Sequence, residues 1–145
     1  MAVRTIQVDK IVDYLNSNTA ISAVVPGLIW FWQKNRDDNQ DDTEFNTYIN
    51  TRIVSDVNNN TGVDKTARLE FSIVAHRNKI PAELVDIVEV ITNQITTDAC
   101  PTLRYMWDFH IAGIEEWQMF WPEYVQGNRL MLTKDYLFHY WYSDG

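Results

Sequence analysis

Two stretches of strict alternation, set either side of a run of turn residues, limit this chain more than any other feature. Phe45, Thr47, Ile49, Thr51 and Ile53 fall on one side of an extended backbone, and Asn46, Tyr48, Asn50 and Arg52 on the other. Asn58-Asn59-Asn60-Thr61-Gly62 then crowds residues 55–65 with turn formers. Beyond it, Ala67, Leu69, Phe71, Ile73 and Ala75 alternate with Arg68, Glu70, Ser72 and His76. Side chains on a strand point alternately to opposite faces, so a period of two marks a half-buried strand. Two such runs around a turn cluster predict a long hairpin over residues 44–76.

Such a hairpin needs cover on its apolar face. Pro81 suits the first turn of a helix, and Leu84, Ile87, Val88, Ile91 and Ile95 follow at helical spacing. Residues 5–17 predict a second helix, with Thr5 as N-cap, Ile6, Ile11, Val12 and Leu15 on one face, and Asn16-Ser17-Asn18 as its end. A short turn at 20–25 leads to Pro26-Gly27, and 28–32 is an apolar run of strand length. After a loop at 96–101, Leu103, Tyr105, Trp107, Phe109 and Ile111 alternate as another strand, and a last strand runs over about 130–142. This order predicts an α+β fold: a mostly antiparallel sheet with a long hairpin and two main helices packed on one face, in one domain spanning 1–145.

Composition narrows the function. The formal net charge is −8. An acidic surface repels phosphate, which argues against sequence-specific nucleic-acid binding but not against DNA passing through without sticking. Cys100 is the single cysteine, so no bridge forms within the chain, as expected of a reducing compartment. The N-terminus lacks the apolar core of a secretory signal, and no apolar run is long enough to span a bilayer. The sequon at Asn59 is then expected to be empty.

No chemical motif stands out. Residues 37–44 hold five carboxylates, Asp37, Asp38, Asp41, Asp42 and Glu44, and imitate the start of a calcium loop. An EF-hand needs Gly at its sixth position and Glu at its twelfth, where this chain has Asp42 and Tyr48. The segment reads as a solvated acidic loop, or as the acidic lining of a bore or subunit seam. His76, His110 and His139 lack zinc-ligand spacing, and Cys100 precedes Pro101 in a loop. Glu115 and Glu116 are adjacent on a strand and point apart, as rim charges would. There is no phosphate-binding glycine loop and no hydrolase motif. No enzyme activity, cofactor or metal is expected.

Aromatic residues gather late: 12 of the 19 lie in residues 103–145. The last strand is aromatic on both faces, with Tyr136, Phe138, Tyr140 and Tyr142 alternating with Leu137 and Trp141. An antiparallel sheet usually leaves one face to water, so a second apolar face is covered by this chain or by a neighbour. Trp117, Trp121, Tyr124, Tyr140, Trp141 and Tyr142 are the candidates for a subunit interface, where Tyr and Trp are enriched.

An N-terminal helix, the stretch Ala-Ile-Ser-Ala-Val-Val-Pro-Gly-Leu-Ile, a strand, a long hairpin, a helix and terminal strands follow one another. In this order the chain resembles the tail-terminator (tail-completion) proteins of long-tailed bacteriophages. The closest local similarity is residues 21–32, then the strand at 68–76 and the helix at 81–95. The acidic loop at 37–44 and a Trp-rich insert at 117–124 depart from it. The resemblance implies a structural virion protein that forms a ring, a hexamer in this family. The ring caps the tail tube, binds the tube protein and the head–tail connector, and passes DNA without specific binding. It implies a place in the virion tail after assembly in the host cytoplasm, with no membrane partner. Another connector, head-completion or baseplate part is the nearest alternative. A small ligand-binding domain or an enzyme is the alternative of another class.

Overall fold

A computed structural model describes residues 5–31, 47–58, 65–76, 79–99, 109–125 and 129–142. Its elements are α1 (Val8–Ser17), α2 (Thr19–Val24), β1 (Ile29–Phe31), β2 (Tyr48–Asn58), β3 (Lys65–His76), α3 (Pro81–Gln94), β4 (Phe109–Val125) and β5 (Arg129–Tyr142). The five strands form one sheet in the order β1-β2-β3-β5-β4. β1 runs parallel to β2, and every other pairing is antiparallel. The fold is therefore α+β with a mixed sheet.

The hairpin is β2 and β3, joined in register from Tyr48↔Val74 to Asn58↔Lys65 with one bulge between Ile53 and Ser55. Ala67, Leu69, Phe71, Ile73 and Ala75 are all buried, as their alternation requires. They share a core with Ile49 of β2, with Leu84, Ile87, Val88 and Ile91 of α3, and with Val8, Ile11, Val12 and Leu15 of α1. The even-numbered residues of β5 complete it: Leu130, Leu132, Tyr136, Phe138, Tyr140 and Tyr142 are buried there. Phe45 lies outside the described residues.

Several local expectations need correction. Thr5 does not cap α1, which starts at Val8 with Gln7 at the N-cap position and no side-chain cap. Thr5 instead offers its carbonyl oxygen to the Tyr142 hydroxyl, and the Ile6 N–H donates to Asp56 at 3.0 Å. These bonds tie the entering chain to the sheet, so the helix begins later. The turn expected at 20–25 is the helix α2; Asn18 ends α1 and accepts from the Ile21 N–H at 3.1 Å, capping α2. The loop expected from 96 begins as a π-helical extension, Ile95–Ala99. The Trp-rich stretch at 117–124 lies in the second half of β4. The strand expected to begin at Leu103 is described only from Phe109 onward.

The β1 edge carries one backbone exception. Leu28 has φ of 71°, a left-handed conformation that costs a non-glycine residue of order 1 kcal/mol. It is held by its N–H to Val25 and by its carbonyl, which accepts from Ile49.

Two core tyrosines make stability depend on alkaline pH. Burial raises the Tyr136 hydroxyl well above its ordinary value, against a partial offset from its hydrogen bond with Thr92. Burial raises Tyr140 too, and its 2.6 Å bond to Asp56 adds to the effect. Both stay neutral when folded, while an unfolded tyrosine ionises near pH 10. Their contribution is thus complete below about pH 10 and is lost as pH rises beyond it. Urea midpoints measured from pH 8 to pH 11 should fall above about 10, and less steeply in a Tyr136→Phe, Tyr140→Phe variant.

Candidate functional site

The helices occupy one face of the sheet. The opposite face carries the residues paired out of phase with the core: Trp30, Asn50, Arg52, Arg68, Glu70, Thr133, Asp135, Leu137, His139 and Trp141. At its centre Glu70 of β3 lies directly opposite Asp135 of β5. Two carboxylates so placed repel each other unless each has its own cation. Arg52 donates to Glu70 at 3.0 Å, and the Arg68 Nε donates to Asp135 at 2.8 Å. Arg68 also reaches Gln118 of β4 at 3.1 Å. Asp135 is 0% exposed and its Oδ1 lacks a hydrogen bond. The Glu70 bond holds the Arg52 guanidinium even more firmly protonated than usual.

β4 is an edge strand, and it is irregular. One extra residue enters between Ile111 and Gly113, another between Glu116 and Met119, and a third between Phe120 and Glu123. Each bulge bends the strand and re-aims its side chains. The third contains Pro122, which has no N–H to give to a ladder and fits an edge bulge. Around it Phe120, Trp121 and Glu123 converge with Met131 and Thr133 of β5 and Glu70 of β3 to line a concavity of about 400 Å³. Trp121 is 75% exposed, and Phe120 and Trp117 are exposed beside it.

The six aromatic candidates for an interface therefore separate. Tyr140 and Tyr142 are buried within this chain, where both pack on Phe109. Trp141 is half-buried on the open face and stacks on His110 with ring centroids 4.0 Å apart. Trp117 and Trp121 stand on the β4 edge, exposed. The backbone of Tyr124 pairs with Leu130. Asp37, Asp38, Asp41, Asp42 and Glu44 lie outside the described residues, as does Cys100.

No catalytic constellation assembles among the described residues. His139 contacts Thr66 at 3.1 Å and pairs with Glu115 at 3.2 Å. Glu116 pairs with Lys134 at 3.1 Å, so Glu115 and Glu116 serve as separate rim charges. No group of three His, Cys, Asp or Glu side chains able to hold a metal occurs among the described residues. No helix there is long and apolar enough to cross a membrane.

Sequence reasoning missed the concavity. Phe120, Glu123, Met131 and Thr133 carry no spacing signal of their own. The visible clue was Pro122 inside an aromatic strand.

No protein-family model matches the sequence, and no curated protein matches it. Among solved structures the fold is similar to that of a chain in the virion of a native gene transfer agent particle. The TM-score is 0.60 at 10% identity, over 89% of this chain and 90% of that one. At that identity the likeness establishes a shared fold over nearly the whole length.

Proposed function

We propose that this chain is a structural part of a phage-like virion and, within it, a tail terminator. In this role a ring of copies, six in number, closes the tail tube and meets the head connector. The observation that supports the reading most is the end-to-end fold similarity with a chain of a virion particle. The element order read from the sequence points the same way, and no described cluster offers a competing chemistry. In this reading Trp117 and the β4 edge lie in the subunit seam. Some of the carboxylates at 37–44 face the bore or that seam, where they repel the phosphates of passing DNA. Each seam buries on the order of 1,000 Å² or more.

Native mass and averaged images of purified chain and particles test this. A closed ring of rotational symmetry at the head-proximal end of the tail is the expected result. A monomer absent from particles overturns the proposal, and a ring confined to the tail tip makes the chain a baseplate part instead. Replacing the exposed Trp117 with Ala should weaken ring closure by about 2 kcal/mol, roughly 30-fold per seam, if it is a buried anchor there. The melting temperature of the separate subunit should not move with it.

A further inference from the structure

We infer that the concavity beside the Pro122 bulge receives the cationic side chain, arginine or lysine, of a neighbouring polypeptide. The lining combines two exposed aromatic rings, Phe120 and Trp121, with a thioether, a hydroxyl and two carboxylates, Glu70 and Glu123. The electron-rich faces of Trp and Phe attract a cation, most strongly when a carboxylate stands alongside.

The charges that the described residues place around the concavity are not balanced. Glu70 is already neutralised by Arg52, and Asp135 opposite it on β5 by Arg68. Glu123 has no ion-pair partner among the described residues, which leaves one negative charge over among them at the rim of an aromatic hollow. A neutral apolar ligand would leave that charge uncompensated, and a phosphate would be repelled by it. A guanidinium or ammonium on an alkyl stem satisfies both parts: the stem lies along Met131 and Phe120, and the charge meets Trp121 and Glu123. The hollow also sits on the sheet's exposed edge strand, where an adjacent subunit can reach it. This takes from the virion reading only that a neighbouring polypeptide is present, and its test uses the purified chain.

Met131 reports from inside the hollow and is one of only four methionines, so its ¹³C-methyl signal can be followed by NMR. Titration with N-acetyl-arginine amide and N-acetyl-lysine amide should shift that signal saturably, with a dissociation constant on the order of 10 mM. The neutral N-acetyl-glutamine amide should not shift it. Glu123→Gln should weaken the arginine titration by about 3–5-fold, and 0.5 M salt by a similar factor. Trp121→Leu should reduce it further, with the remaining methyl signals in place as proof of fold. The inference is overturned if the cations cause no saturable shift, if the glutamine amide or inorganic phosphate shifts Met131 as strongly, or if Glu123→Gln binds arginine unchanged. A chain that binds the cations but forms no ring retains this site and loses the terminator role.

Discussion

Replacing Phe71 with Ala should lower the free energy of unfolding by about 3–5 kcal/mol, the cost of removing a buried ring and leaving a cavity. Phe71 sits mid-strand in β3, flanked in the sheet by Thr51 and Lys134. Its ring meets Tyr136 edge-on at 5.4 Å, and Tyr136 in turn bonds Thr92 of α3 at 2.7 Å. Removing the ring therefore loosens the contact between sheet and helix. The melting temperature should fall by roughly 10–20 °C for a chain of this length. Val57→Ala, at an exposed position of the same hairpin, should change stability by less than about 0.5 kcal/mol. Calorimetry on both variants checks the contrast. A loss below about 1 kcal/mol for Phe71→Ala would mean that the core is not centred on this strand.

The second large effect is electrostatic. Arg68→Ala should cost about 3 kcal/mol, because it strands the buried Asp135 carboxylate opposite Glu70. The arginine side chain is partly exposed, so the expected cost lies at the low end of the range for buried pairs. The sharper test is the double variant Arg68→Met, Asp135→Leu. It removes the carboxylate together with its partner and should recover most of the loss, since replacing a buried pair by apolar residues is often neutral. Urea unfolding of the two variants side by side measures this. If the double variant is as unstable as Arg68→Ala, the damage comes from lost packing rather than from an unpaired charge.

The parts of the fold legible in the sequence are those where one face is oily and the other wet. β3 alternates strictly because its odd residues meet α1 and α3 and its even ones meet the open face, so period alone places Leu69 and Phe71 correctly. α3 is legible for the same reason at a different period. Only the opening of β4 was legible, where Phe109 and Ile111 are buried as their alternation requires; beyond Ile111 three inserted residues shift its phase three times, and a pattern of period two cannot survive that. Glu116 and Met119 share the core-side phase only because a bulge separates them. The parallel pairing of β1 escaped for a different reason: three residues are too few to carry a directional signal. Tyr48 and Val74 are out of phase with the core, yet both are buried. The hollow at Trp121 follows from the same cause as the misread strand, since its lining converges only once β4 has bent around Pro122.

The broken rhythm of β4 has a further consequence at high concentration. A straight edge strand of 17 residues would offer an evenly spaced row of amide and carbonyl groups to any other extended chain, the template from which fibres grow. Here no uninterrupted stretch survives long enough to seed such growth, and Pro122 removes one donor outright. An extended chain that meets this edge finds ring faces and charges, contacts that fix an angle, rather than a backbone ladder, which repeats without limit. An edge of this kind favours assemblies that finish over ones that continue.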